Sequence, residues 1–197
     1  MTTEKIRLLK KELRVQFKEK RKKLDKQEKK MLDEKISTNI LDSVSYEYAD
    51  VVLMFYPTLY EIDLLNVFEK ARMDGKKVAF PRCVSKGIMR FYFAENENDF
   101  EKSSYGISEP KTHCEEYVPG CAKHPLCIVP CLCAFTDGVR LGYGGGYYDR
   151  FLSHFEGISM CVQYEQNLFD GIPFDKRYDK KTDIVVTEKA VYVVGKK

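Results

Sequence analysis

Six consecutive apolar residues, Val51-Val-Leu-Met-Phe-Tyr56, run straight into Pro57. A strand with one wet face alternates apolar and polar side chains. One that is apolar throughout has both faces covered, as in a parallel sheet packed between helices. Downstream, Ile62, Leu65, Phe68 and Ala71 keep helical spacing up to Gly75, and Lys76-Lys-Val-Ala-Phe-Pro81 follows as a second short strand. Strand, helix and strand in that order predict a βαβ unit.

The flanking segments extend this pattern. Ile6, Leu9, Leu13, Phe17 and Leu24 mark a long amphipathic helix from Thr3 to Leu24, with Thr2 or Thr3 as N-cap. Asp25 caps a second helix expected to carry Met31, Leu32, Ile36, Ile40 and Leu41 inward. Further strands are expected at Met89–Phe93, Leu126–Phe135 and Ile158–Gln163, with a final pair at Asp183–Thr187 and Val191–Val194. The acidic, polar stretch between Phe93 and Pro125 reads as loop, punctuated by Gly106, Pro110, Pro119 and Gly120, and loops of that length often serve function. No repeat or linker divides the chain, so residues 1–197 are expected to form one α/β domain, a three-layer α/β/α arrangement around a mostly parallel sheet.

Composition narrows the classes of function. Charged residues at 32% and hydrophobic ones at 44% suit a packed globule. No apolar run approaches ~20 residues and the N-terminus lacks an apolar signal core, so a cytoplasmic protein without a membrane partner is expected. The seven cysteines contain no CxxC pair, and Cys127, Cys131, Cys133 and Cys161 sit in apolar runs, as small core residues do in a reducing compartment. His113, Cys114, Cys121 and His124 match no compact zinc spacing, so no zinc is expected. The net charge is only +3, but Lys and Arg crowd the first helices. Within that region Lys20-Arg-Lys-Lys23 is interleaved with Glu19, Asp25 and Glu28 and reads as a solvated helix face. No RNA-binding aromatic motif accompanies it, and no nucleic-acid partner is expected.

The chemistry concentrates in Arg140-Leu-Gly-Tyr-Gly-Gly-Gly-Tyr-Tyr-Asp-Arg150. Glycines 142, 144, 145 and 146 permit positive φ and close backbone approach, so successive NH groups can face one oxyanion while Arg140 adds a charged fork. The helix expected from about Tyr147 would add further NH groups at its start. Tyr147 stands where the dinucleotide fingerprint needs its third glycine, and no Gly-Lys-Ser/Thr follows as in a P-loop. The alternative is a glycine-rich turn that merely joins strand to helix.

Several motifs, in order, resemble one family. They are Lys10-x-x-Leu13-Arg14, Phe55-Tyr-Pro57 with Glu61-Ile-Asp63, Tyr105-Gly-Ile-Ser-Glu-Pro110, Val129-Pro130, the loop from Arg140 to Asp149, and Asp183. Together they are similar to the 5-formyltetrahydrofolate cyclo-ligases, also called methenyltetrahydrofolate synthetases. The resemblance implies a fold related to the ribose-5-phosphate isomerase and CoA-transferase group. It also implies an ATP- and magnesium-dependent ring closure of 5-formyltetrahydrofolate to 5,10-methenyltetrahydrofolate, releasing ADP and phosphate. Two departures stand out: Phe135 occupies a position where the family commonly has Asp, and Leu64 one where Thr is frequent.

By the same resemblance, Lys10, Arg14 and the run Arg140, Leu141, Gly142, Tyr143, Gly144, Gly145, Gly146, Tyr147 and Tyr148 would contact ATP. Phe55, Tyr56, Glu61 and Tyr143 to Tyr147 would contact the folate. Arg140 and Tyr147 are the catalytic candidates, and Asp149 and Asp183 the magnesium ligands. From spacing alone, Lys10 and Arg14 share a helix face but could be ordinary surface charge; Asp149 could be a first-turn helix acid and Asp183 a strand-edge charge. Small-molecule substrates and a monomer are expected. The competing reading is a folate- or nucleotide-binding regulator without turnover, whose basic N-terminal helices would act on RNA.

Overall fold

The structure is a computed structural model that describes residues 2–103 and 106–195; Tyr105, in the third motif above, lies outside the described residues. Three helices, α1 (Thr3–Lys22), α2 (Lys26–Leu41) and α3 (Val44–Tyr48), precede β1 (Val51–Leu53). Thr2 and Asp25 cap the first two, each side-chain oxygen accepting backbone NH groups of the opening turn. After β1 come α4 (Leu65–Met73), β2 (Lys77–Ser85) and β3 (Ile88–Phe93). The second half contains β4 (Phe100–Lys102), β5 (Ser108–Pro110), β6 (Pro125–Pro130), β7 (Cys133–Ala134), β8 (Arg140–Leu141), α5 (Tyr147–Leu152), β9 (Ile158–Val162), β10 (Ile184–Val186) and β11 (Val191–Val193).

Seven strands form one sheet in the order β11-β10-β9-β6-β1-β2-β3. The five inner strands are parallel, and both edge strands, β11 and β3, are antiparallel to their neighbours. The βαβ unit is β1-α4-β2, with Val51, Val52 and Leu53 in register with Lys77, Val78 and Ala79.

Both faces of the sheet are covered, which is why the strands read as continuous apolar runs. Val52, Met54, Leu126, Ile128 and Met160 pack with α2, α3 and α4 through Ile36, Tyr46 and Phe68. The alternate residues Val51, Leu53, Cys127, Val129 and Cys161 face α5 and the segment after it, through Phe151 and Phe155. Met31 is exposed, contrary to its expected inward placement; at 100° per residue it lies about 140° around the helix from Ile36. The buried face of α2 carries Asp33 in its place, whose Oδ1 accepts the Tyr164 hydroxyl at 2.6 Å and Oδ2 the Asp63 NH at 3.1 Å.

The expected strand from Leu126 to Phe135 is interrupted. Pro130 ends β6, and the chain turns into a separate β7–β8 hairpin closed by Leu132 N–H to Leu141 O (2.7 Å) and Phe135 N–H to Val139 O (2.8 Å). Helix α1 lies on this hairpin: Phe17 packs with Leu132, Cys133, Val139 and Leu141 in a third core cluster. Gly138 at the hairpin turn has φ +86°, and a Cβ there would stand 2.3 Å from the Thr182 carbonyl oxygen. Gly138→Ala is therefore expected to cost about 3 kcal/mol or more, combining left-handed strain with a backbone clash. That corresponds to a melting temperature lower by roughly 6–12 °C, and an unchanged thermal transition would contradict it.

The long segment after β3 is not wholly irregular. A 3-10 turn at Glu97–Asp99 leads into β4, which pairs antiparallel with β5. Among the described residues, His113 and Cys114 do approach Asp99, with ligand atoms within 4.8 Å of one another, while Cys121 and His124 belong to no such group. Asp99 is already occupied as a cap, its Oδ2 accepting the Glu95 and Asn96 NH groups at 2.7 and 3.1 Å.

Candidate active site

A cleft of about 1620 Å³ opens between α1, the residues after β1, the β2–β3 hairpin and the glycine loop. Single small-molecule sites usually span ~300–1,000 Å³, so this volume suits two reactants side by side.

The glycine loop runs from β8 to α5 as its sequence suggested. Gly144 (φ +104°) and Gly146 (φ +66°) take left-handed backbone, and Gly146 is the N-cap of α5. Helix α5 has only six residues, so its dipole adds less to an anion site than a long helix would. The loop is held from two sides. Arg14 Nε donates to Gly142 O at 2.9 Å, and Arg150 donates through Nε to Gly87 O (2.6 Å) and through Nη2 to Gly145 O (2.5 Å).

Arg140 is buried, and its fork is committed within the protein: Nη1 donates to the Lys180 carbonyl and Nη2 to Asp149 Oδ1 at 2.9 Å. Asp149 Oδ1 also accepts the Lys180 NH at 3.2 Å. The pair thus fixes the segment from Asp175 to Lys180 against the glycine loop. That segment is braced internally by a bidentate Arg177–Asp175 contact (3.0 and 2.9 Å) and tied to α1 by the Lys10–Asp179 ion pair. Burial pulls the Arg14 pKa down while Asp179 and Asp149 push it up; it stays a cation.

Glu61 lines the same cleft and is buried, and its Oε2 accepts the Thr58 NH (2.9 Å) and hydroxyl (2.7 Å). Phe55 is buried between core and cleft, and Tyr56 stacks obliquely on Phe100 at 4.9 Å between ring centroids. Tyr143 lines the cleft with Glu61; burial drives its pKa up, Arg21 pulls the other way, and Glu61 adds to the rise. Tyr147 stands beside Cys83, whose thiol burial and the nearby Glu109 push up. Leu141 is a core residue, and Tyr148 turns its ring toward Phe91 at 6.4 Å with its buried hydroxyl unpartnered among the described residues.

Of the expected site residues, the cleft gathers Lys10, Arg14, Phe55, Tyr56, Glu61 and Arg140 to Asp149. Asp183 is not brought to it. Asp183 sits just before β10, where its Oδ2 accepts the Ser159 NH (2.9 Å) and hydroxyl (2.6 Å), a bracket between neighbouring strand starts. The unusual Leu64 is fully buried at the α4 N-cap, and Asp63 takes over the capping bond by accepting the Leu65 NH at 3.0 Å. Phe135 packs against the third core cluster.

Three contributions escaped the sequence reading. The 175–180 segment lines the cleft, and a charged string between two strands was its only signal. Glu109 is a buried carboxylate lining the cleft; the family pattern contained it, without a role. Arg21 is buried rather than solvated, a correction to the reading of Lys20–Lys23. Its spacing of seven from Arg14 puts both on one helix face, a signal that was present.

A parallel α/β sheet with a cation-walled cleft beneath a glycine loop defines the class, an α/β protein suited to a phosphate-bearing ligand beside a second reactant. Residues 7–188 match the model of the 5-formyltetrahydrofolate cyclo-ligase family. A probable 5-formyltetrahydrofolate cyclo-ligase of Schizosaccharomyces pombe is 28% identical over 146 residues, covering 66% of this chain and 71% of that one. The 5-formyltetrahydrofolate cyclo-ligase of Escherichia coli is 25% identical over 182 residues, covering 89% and 98%. The structure of Aquifex aeolicus 5,10-methenyltetrahydrofolate synthetase superposes with TM-score 0.82 at 28% identity, over 96% of this chain and 94% of that one. A Mycoplasma pneumoniae 5,10-methenyltetrahydrofolate synthetase has the same fold, with TM-score 0.73 at 21% identity over 91% and 98%. This chain belongs to the 5-formyltetrahydrofolate cyclo-ligase family, a family of enzymes.

Proposed function

We propose that this enzyme closes 5-formyltetrahydrofolate to 5,10-methenyltetrahydrofolate at the expense of ATP, acting as a monomer. The observation that carries the reading is the cleft that gathers the glycine loop, its cations and the buried Glu61. Family membership names the same chemistry. Its four buried, unpaired thiols suit a reducing cytosol, and no helix of the described residues is long and apolar enough to cross a membrane.

The formyl oxygen takes the γ-phosphoryl group and ADP leaves; N10 then attacks the activated carbon, phosphate departs, and the N10 proton is lost. Little covalent work falls to the protein, which must align two reactants and neutralise charge. Loop NH groups from Gly142 to Gly146, with Lys10 and Arg14, face the polyphosphate. Glu61 accepts hydrogen bonds from the donor edge of the pterin, and Tyr56 and Tyr147 flank the ring. Arg140 holds Asp149 and contributes positive potential.

Asp149 fits magnesium: it lines the cleft, and only its Oδ1 is bonded to the protein among the described residues. Magnesium needs few protein ligands when phosphates and water complete its shell. When bound, the ion would offset phosphate charge, with Asp149 as its protein contact. Asp183, tied to Ser159, would have to leave its bracket to join.

The test is near-ultraviolet absorbance of the methenyl product from protein, 5-formyltetrahydrofolate and Mg-ATP, beside a no-ATP control. ATP-dependent product is expected, and Asp149→Asn should reduce the rate by about 10²-fold. Folate binding without product would return the chain to the regulator reading.

A further inference from the structure

Arg21 is a buried cation that, among the described residues, forms no ion pair. Burying a guanidinium away from a carboxylate is costly unless its donors are used and a compensating charge lies near. Its Nη2 donates to Cys131 O and to Gln163 Oε1 (3.1 Å), fixing the head against the ends of β6 and β9. Its Nη1 donates to the Tyr143 hydroxyl at 3.0 Å. Glu61 lines the same cleft as Tyr143, and its charge raises the Tyr143 pKa. Arg14, seven residues earlier on the same face of α1, holds the adjacent Gly142 carbonyl at 2.9 Å. One helix therefore grips two successive residues of the loop, one by its backbone and the other by its side chain.

We propose that Arg21 is a positioning residue for the folate half of the cleft: through the Tyr143 hydroxyl it sets the Tyr143 ring in the arrangement that, together with Glu61, receives the pterin. Arg14 does the corresponding work on the backbone that faces the polyphosphate. This division rests on the cyclo-ligase reading and assigns distinct substrates to two arginines of one helix face. A residue that merely stabilised the fold would weaken both substrates together, or neither.

The test is steady-state kinetics on full-length wild type, Tyr143→Phe, Arg21→Met, Arg21→Lys and the Arg21→Met/Tyr143→Phe double variant, varying each substrate in turn. Tyr143→Phe removes only a hydroxyl from a half-exposed ring and leaves the core intact, so it stays informative if Arg21→Met folds poorly. The expected result is a KM for 5-formyltetrahydrofolate raised about tenfold in Tyr143→Phe and at least as much in Arg21→Met, with the KM for ATP within about twofold of wild type. The double variant should be no worse than Arg21→Met, because both changes break one connection, and Arg21→Lys should recover part of the loss. An unchanged folate KM in Tyr143→Phe, equal rises for both substrates, or additive losses in the double variant would each overturn the proposal. Wild type without ATP-dependent product would overturn the cyclo-ligase reading and this assignment with it; active wild type with indifferent variants would overturn this assignment alone.

Discussion

Arg140→Met is expected to lower kcat/KM by about 10³-fold, the largest loss from any single change outside the core. The guanidinium does three things at once. It holds the Lys180 carbonyl, and so the 175–180 segment, against the loop; it orients Asp149 at 2.9 Å; and it adds positive charge where phosphates would lie. Losing it leaves Asp149 without its charged partner and frees the segment that carries Asp179, the partner of Lys10. Because Arg140 is buried while its partner Asp149 is part-exposed, losing the pair also costs stability, so thermal unfolding must be measured beside activity, with Arg140→Lys as the control. Lysine restores the charge but cannot fork to both partners, so it should regain stability more than rate. A folded Arg140→Met enzyme within fivefold of wild type would remove Arg140 from the machinery.

Glu61→Gln should reduce kcat/KM for 5-formyltetrahydrofolate by about 10²-fold while leaving the KM for ATP within about twofold. A charged acceptor binds a donor pair more strongly than an amide by ~1.5–3 kcal/mol, which is a factor of roughly 10–150. Glutamine keeps the size, and its carbonyl oxygen can still accept from Thr58, which in the wild type supplies its NH and hydroxyl at 2.9 and 2.7 Å, so the local turn should survive. Isothermal titration with the folate alone separates binding from chemistry. Glu61→Ala with full turnover would mean that this scaffold acts on a different acid or amide.

The layered fold was legible because burial on both faces leaves a direct trace: Val51 to Tyr56 could not be apolar throughout in a half-wet sheet. The interruption after Pro130 was hidden because Cys131-Leu-Cys-Ala-Phe135 stays apolar while changing partners, from β6's neighbours to the β7–β8 hairpin. The glycine loop showed itself by composition, since only glycine takes the backbone found at 144 and 146 without strain. Lys10 and Arg14 needed the family resemblance, because a basic helix looks the same whether its face meets water or a cleft. Arg21 was misjudged for that reason: its burial depends on Gln163 and Tyr143, more than 120 positions away. Asp183 shows the opposite failure, for its motif position suggested the cleft while Ser159 holds it at the strand starts.

The first helix docks on residues more than a hundred positions downstream. Lys10 meets Asp179, Arg14 meets Gly142, Lys20 reaches the Gln166 carbonyl, and Thr3 accepts from Arg177. During synthesis α1 therefore waits for the β7–β8 hairpin and the glycine loop before it can dock, and the 175–180 wall of the cleft arrives later still, so the complete cleft assembles late. A nascent chain halted before the 175–180 segment would carry the inner strands β1, β2, β6 and β9 and still lack a site. Premature termination there should yield protein that is inert toward nucleotide, with Lys10 deprived of its partner Asp179.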